Sequence, residues 1–133
     1  MAKERPLPAD VGAGPKSVVV LLFSQADCEY CAEVRDHYLR PLLEEKRPSL
    51  TISESRIDDD APIRDWRGRP VPQRAFARAS GARFAPTVMF LGNDGQTLAA
   101  PIVGLSHDFF GSYLEQRLAA ALTEVGGNRL TPA

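Results

Sequence analysis

An uninterrupted run of six apolar residues, VVVLLF at positions 18–23, constrains the fold more than any other feature of this chain. Its three valines are β-branched and favour an extended backbone, so a strand is predicted over residues 17–23. Because no polar residue alternates with the apolar ones, both faces of this strand must be covered by other elements. Such a strand is typical of a central sheet with helices on each side. The run is too short to span a bilayer, which takes about 20 apolar residues.

Three later segments also have strand-like patterns. Residues 50–57 begin with apolar and polar positions in alternation, and residues 87–91 form a second largely apolar run. The tetrapeptide GNDG at positions 92–95 is a strong turn signal. Residues 98–103 are therefore predicted to pair antiparallel with the strand that precedes the turn.

Three other segments of the sequence have helical features. One apolar stripe is formed by Cys31, Val34, Tyr38 and Leu42. Pro41 removes a backbone donor and is expected to kink or restart this helix. Residues 73–80 predict a short helix that stops at Gly81, and a final helix is predicted after an N-cap at Ser106. The order β-α-β-α-β-β-α predicts a three-layer α/β fold with a mixed sheet.

Length and charge bound the number of domains and the class of partner. The chain has 133 residues, 16 basic and 17 acidic side chains, and a net charge of −1. We predict one domain over residues 17–124, between a flexible N-terminal segment (1–16) and a flexible C-terminal tail (125–133). The balanced charge argues against a nucleic-acid partner, which would require a strongly basic surface.

Two cysteines are too few for a disulfide scaffold, so their spacing is the informative feature. Cys28 and Cys31 form one C-x-x-C motif, which is more often redox-active or metal-binding than structural. The motif falls where the buried strand has ended and a helix begins. Free N–H groups and the positive end of the helix dipole stabilise a thiolate there. We expect Cys28 to attack a substrate disulfide and Cys31, one turn deeper, to resolve the mixed disulfide.

The motif, the order of elements and the segment FAPTV at positions 84–88 together resemble the thioredoxin superfamily over residues 17–124. The resemblance implies a thioredoxin-like three-layer α/β/α sandwich that exchanges thiols and disulfides and needs neither a cofactor nor a metal. Pro86 matches the cis-proline that lies against the active-site disulfide in this family. Together with the rim residue Tyr30, it and Ala85 are the predicted substrate-binding residues.

The stretch LFSQADCEYC at positions 22–31 is similar to bacterial thioredoxin-related proteins that serve disulfide reduction in the periplasm. This similarity implies disulfide-containing protein substrates, a membrane thiol reductase as electron donor, and a periplasmic location. We expect a monomer. Residues 1–16 lack the apolar stretch of a secretory signal, so a cytoplasmic protein and a mature export product both stay open.

The chain departs from thioredoxin at three places near the motif. Glu29 and Tyr30 replace the Gly-Pro pair between the cysteines, and Leu22 replaces a buried aspartate that helps to move protons. The lysine that faces this aspartate in thioredoxin falls near Glu54. Glu54 therefore has two interpretations: a substitute base that serves Cys31 in proton transfer, or an exposed strand glutamate.

Carboxylates on both sides of Cys28 bear on its redox potential. Asp27 and Glu29 flank it directly, and a carboxylate about 8 Å away disfavours a thiolate by about 0.5–2 kcal/mol. A less stable thiolate means a more persistent disulfide. We therefore predict a reducing potential near the value of about −270 mV that thioredoxin has.

Two further questions stay open at this level. Paired thiolates also suit copper(I), so a non-catalytic copper(I) metallochaperone or a redox-sensing adaptor is the alternative function. The single tryptophan, Trp66, lies in a predicted loop-rich insert, residues 61–71, where it either covers the core or offers a platform to a substrate.

Overall fold

The computed structural model describes residues 5–12 and 17–130. Its strands are β1 (Val18–Ser24), β2 (Leu50–Arg56), β3 (Pro62–Arg64), β4 (Pro70–Pro72), β5 (Thr87–Leu91) and β6 (Thr97–Val103). Four of them form a mixed sheet in the order β2-β1-β5-β6, while β3 and β4 form a small separate pair. β1 runs parallel to β2 and antiparallel to β5, and β6 returns antiparallel to β5.

β1 is the central strand that its apolar run predicts, and all seven of its residues are buried. Successive side chains of a strand point to opposite faces, so β1 feeds two apolar clusters. One cluster takes Val18, Val20 and Leu22, and the other takes Val19, Leu21 and Phe23. The predicted burial on both faces is confirmed.

The helices divide between these two faces of the sheet. They are α1 (Glu29–Glu33), α2 (Arg40–Glu44), α3 (Gln73–Ser80) and α4 (Phe110–Leu130), with a π-helical stretch, Val34–Leu39, that joins α1 to α2. The π-helical stretch and α4 contribute to the cluster that contains Leu22, and α3 contributes to the cluster that contains Phe23. The predicted α/β class, with a layer of helices on each face of a mixed sheet, is confirmed.

The helical segment after the cysteines changes from the π-helical stretch to a new α-helix, α2, just before Pro41. The Arg40 amide bonds to the Arg35 carbonyl, five residues back, and Pro41 lies in the first turn of α2. A proline is tolerated in a first turn because its missing N–H has no helical partner there. Of the two predicted outcomes, a kink or a restart, the structure shows a restart. At the other end of the fold, α3 stops as predicted, with Gly81 in the left-handed region at φ 84°.

The insert at residues 61–71 is more regular than its sequence indicates. Ile63 of β3 pairs with Val71 of β4 in an antiparallel ladder, and Ile63 is buried. Each strand is only three residues long and carries a proline, which leaves too few positions for an alternating pattern to be visible. The loop-rich prediction for this insert is therefore corrected to a short hairpin.

The N-terminal segment departs from the predicted flexibility of residues 1–16 wherever the structure describes it. Residues 5–12 lie along the outer edge of β2, where the Pro8 carbonyl accepts a hydrogen bond from the Glu54 amide at 2.8 Å. Leu7 and Val11 are both buried, one in each apolar cluster. Buried apolar side chains and hydrogen bonds to β2 thus attach a segment rich in proline and glycine. Residues 1–4 and 13–16 lie outside the described residues.

α4 extends beyond the end that the sequence predicts for the domain. It begins at Phe110, after a turn in which the Ser106 carbonyl accepts from the Phe110 amide, and it continues to Leu130. Residues 125–130 of the predicted tail are therefore helical, and residues 131–133 lie outside the described part of the chain. Within that part, no helix has the length and apolar character that a membrane span requires.

Candidate redox site

Cys28 and Cys31 are joined by a disulfide at the start of α1. Cys28 is the N-cap residue, and its Sγ accepts a hydrogen bond from the Cys31 amide at 3.1 Å. An N–H group that already points at this sulfur also stabilises a thiolate there after reduction. Cys28 is half-buried and Cys31 is fully buried. This difference in access matches the predicted roles, with Cys28 available to a partner and Cys31 behind it.

A turn between β1 and α1 presents Cys28, and Asp58 holds this turn in place. The Ala26 amide donates to the Asp58 carboxylate at 2.9 Å, and Arg56 donates to the same group at 3.1 Å. Partial burial alone would raise the pKa of Asp58, but these two partners outweigh it and keep the pKa below its ordinary value. Sequence reasoning missed this contact. Its signal is that parallel strands β1 and β2 end at the same edge, which brings their following turns together.

Pro86 lies at this same edge of the sheet. The Ala85–Pro86 peptide bond is cis, and Thr87, directly after it, pairs with Phe23 near the end of β1. The Pro86 carbonyl accepts a hydrogen bond from the Gly104 amide at 2.7 Å, which fixes the loop against the end of β6. Pro86 is buried and Ala85 is half-buried in the disulfide form.

Two exposed aromatic side chains lie near the candidate site in sequence, one between the cysteines and one just before Ala85 and Pro86. Tyr30, between the cysteines, is 56% exposed, and Phe84, just before the proline loop, is 67% exposed. The Tyr30 ring meets the edge of His107 at 6.1 Å between centroids, and His107 pairs with Glu33 of α1 at 3.0 Å. These contacts attach the turn before α4 to the cysteine helix. Sequence reasoning named Tyr30 as a predicted substrate-binding residue but did not single out Phe84. The available signal for Phe84 was its position next to Ala85.

The interpretation of Glu54 as an exposed strand glutamate is wrong, because its side chain is buried. It is 2% exposed and lies opposite Leu22 in the β1–β2 register. Both its carboxylate oxygens bond to Arg35, at 2.9 Å from Nε and 2.7 Å from Nη2. The Leu7 amide, at 2.9 Å, and the Ser24 hydroxyl donate to it as well. Sequence reasoning did not single out Arg35. Its signal was a charged residue on the apolar side of a helix, four positions after Cys31.

A cavity of about 390 Å³ is shared by this ion pair and Cys28. It is lined in part by Cys28, Ala32, Arg35 and Glu54, and by Pro6 from the N-terminal segment. Trp66 lines a different cavity of about 560 Å³ and lies 6.0 Å from the Phe76 ring, between centroids. Of the two interpretations of Trp66, these contacts favour a cover for the core.

Solved structures of thioredoxins are similar to this one. Oxidized thioredoxin O2 from Arabidopsis thaliana matches with a TM-score of 0.53 and 21% identity, over 76% of this chain and 75% of that chain. The short form of spinach chloroplast thioredoxin F matches with a TM-score of 0.54 and 19% identity, over 83% and 79%. Fasciola hepatica thioredoxin matches with a TM-score of 0.53 and 14% identity, over 77% and 82%.

No protein-family model and no curated protein sequence matches the chain. The structural similarities establish the fold: the chain adopts a thioredoxin-like fold, with a C-x-x-C disulfide at the start of its first helix.

Proposed function

We propose that this protein is a thiol-disulfide oxidoreductase that reduces disulfides in other proteins through Cys28 and Cys31. The observation that carries the proposal is the disulfide itself, in which Cys28 is half-buried and its sulfur already accepts an amide hydrogen bond at a helix N-terminus. The thioredoxin-like fold supports the same class of chemistry. Pro86 is the proposed contact for the substrate backbone, and Tyr30 and Ala85 are proposed as further substrate-binding residues.

The reaction takes two exchange steps. In the reduced protein, the Cys28 thiolate attacks one sulfur of a substrate disulfide, which forms a mixed disulfide and releases the first substrate sulfur as a thiolate. Cys31 then attacks the Cys28 sulfur, restores the internal disulfide and releases the second substrate thiolate. Two electrons pass from the dithiol to the substrate. Cys28 has released its proton when it forms the thiolate and Cys31 releases its own when it attacks, and these two protons convert the two released thiolates into thiols.

Burial gives each cysteine a distinct task in this sequence. Cys28 meets the partner because it is half-buried, whereas Cys31 is fully buried and meets only Cys28. Replacement of Cys31 by Ser therefore stops the reaction after its first step and leaves the substrate bound to Cys28. Replacement of Cys28 removes the attacking group altogether.

The finer parts of the proposal are a reducing direction of electron flow, a periplasmic location, a membrane thiol reductase that restores the dithiol, and a monomeric state. The location and the electron donor come from the resemblance of residues 22–31 to periplasmic thioredoxin-related proteins, and the carboxylates of Asp27 and Glu29 beside Cys28 support the reducing direction. A reductant in an oxidising compartment needs such a donor, because each turnover consumes one dithiol.

The experiment is a reduction assay with insulin as the disulfide substrate, supplied with dithiothreitol, alongside the Cys28→Ser variant as control. We expect turnover with the wild type and none above background with the variant. Copper(I) retained after desalting, together with no reduction of insulin, would contradict the proposal and favour the metallochaperone.

A further inference from the structure

The buried Arg35–Glu54 ion pair has no part in the two exchange steps. Glu54 is 2% exposed and Arg35 is 8% exposed, and the pair is bidentate. Removing two charges from water is costly, and apolar residues of similar volume often stabilise a fold at least as well. Stability is therefore a weak reason for this pair, and its position suggests another.

The ion pair and the attacking cysteine face one small cavity. Arg35 and Glu54 line it together with Cys28 and Ala32. Charges that face a partly enclosed space are screened less than charges on an open surface. A guanidinium beside a thiolate stabilises it, and a carboxylate beside it has the opposite effect.

We propose that the Arg35–Glu54 pair sets the reactivity of Cys28, with Arg35 favouring its thiolate and Glu54 limiting that effect. Arg35 and Glu54 are positioning residues in this account, because they act on Cys28 without touching the substrate. The inference rests on the proposed function for its purpose, since a tuned thiolate matters only in a protein that exchanges disulfides.

Hydrogen bonding favours a fixed charge on Glu54 over proton transfer, which is one of its two sequence interpretations. A carboxylate has about four acceptor positions. Here Leu7, Ser24 and the two Arg35 nitrogens supply four donors. A proton from a thiol would have to displace one of them, so Glu54 is better suited to act by its charge.

Other charged groups near Cys28 contribute to the electrostatic environment in which the ion pair acts. Asp27 and Glu29 flank Cys28 and line the same cavity, as does Arg56 at the end of β2. Asp58 holds the turn before Cys28, and Glu33 of α1 pairs with His107, whose ring contacts Tyr30. All of them are unchanged in the variants below.

The test titrates the Cys28 thiolate by its ultraviolet absorbance in a Cys31→Ser background. Arg35→Met leaves a buried carboxylate without its cation, so we expect the titration midpoint to rise by about one pH unit, a tenfold loss of thiolate below the midpoint. Glu54→Gln leaves the guanidinium unopposed, and we expect the midpoint to fall by a similar amount. With both substitutions, the midpoint should return close to the wild-type value.

Two control variants and one spectroscopic measurement separate an effect on the Cys28 thiolate from a loss of structure. Arg35→Lys keeps the charge but loses the bidentate geometry, so its midpoint should lie closer to wild type than that of Arg35→Met. Arg47→Met removes an equal charge from an exposed, weakly paired site and should leave the midpoint unchanged. Circular dichroism in the near ultraviolet identifies any variant that does not fold, and Arg35→Lys and Glu54→Gln carry the test if Arg35→Met fails.

Opposite shifts in the two single variants support the inference. Shifts in the same direction, or none in folded variants, would overturn it. In proteins that keep Cys31, slower resolution by Cys31 in Glu54→Gln would also overturn it, in favour of a base, if the Cys28 midpoint of that variant is not lowered. The titration needs no substrate, so its outcome is independent of the insulin assay. If the midpoints shift as expected but the wild type reduces no insulin, only the proposed function is overturned.

Discussion

The two faces of the sheet carry different interactions at the same end of β1. On one face, Ser24 donates to the Glu54 carboxylate, which is held by Arg35. On the other, the preceding residue Phe23 stacks on Phe76, with ring centroids 6.2 Å apart. Two neighbouring residues of one strand thus belong to a charged network and to an apolar stack.

This difference suggests a division between reactivity and stability. The charged network shares a cavity with Cys28, while the aromatic stack continues away from the cysteines to Trp66. Substitutions on the first face should change the chemistry of the thiol, and substitutions on the second should change the free energy of unfolding alone. The first two predictions below, Arg35→Met and Phe76→Ala, test that division directly.

Arg35→Met should have the largest effect, because it changes both properties. An uncompensated buried carboxylate is expected to lower the free energy of unfolding by about 3–5 kcal/mol. Urea unfolding measures this loss. In the double variant Arg35→Met/Glu54→Gln, most of the loss should be recovered, and a double variant as unstable as the sum of the single variants would count against a coupled pair.

Phe76→Ala should cost a similar free energy, about 3–5 kcal/mol, through loss of buried area and the cavity it leaves. Phe76 is 5% exposed and belongs to the cluster on the α3 face. The Cys28 titration midpoint should nevertheless stay at its wild-type value. If it moves as far as in Arg35→Met, the two faces are not independent.

Leu7→Ala should lower the free energy of unfolding by about 2–5 kcal/mol, because Leu7 is 2% exposed in the Leu22 cluster. Val11→Ala is the matched variant on the other face, and its smaller side chain predicts a smaller loss. Unfolding in urea compares the two. No loss in Leu7→Ala would mean that residues 5–12 contribute nothing to the domain.

Asp58→Asn should have the smallest effect, and one that depends on pH. The folded-state pKa of Asp58 lies below its ordinary value of 3.8, so its contribution to stability is present above that pH and is lost as the pH falls through the folded pKa. The stability difference between wild type and variant should therefore be largest near neutral pH and shrink below about pH 4. Equilibrium unfolding across this range is the measurement, and a difference that grows in acid would contradict the contact with Ala26.

Local signals in the sequence predict much of the fold and the two cysteines of the candidate site. The run at positions 18–23, the GNDG turn and the stop at Gly81 each describe structure within a few neighbours. Cys28 and Cys31 are equally local, since one motif contains both. Such features depend on propensity and spacing, which a single sequence displays.

The ion pair could not be predicted in the same way, because its members are joined by the sheet register. Glu54 meets Arg35 only after β2 pairs with β1, with Leu22 opposite Glu54, and the helix after Cys28 folds over that pair. A glutamate in a short strand is more often exposed, so its burial depends on an arginine 19 positions away. Leu7 is similar, since its burial depends on a strand edge that the sequence does not reveal.

The equilibrium potential of the Cys28–Cys31 pair against glutathione tests the central claim most directly. A protein that reduces disulfides through this pair is expected to have a potential near about −270 mV. A value above about −170 mV, in the direction of strong oxidants, would contradict a reducing role for the two cysteines.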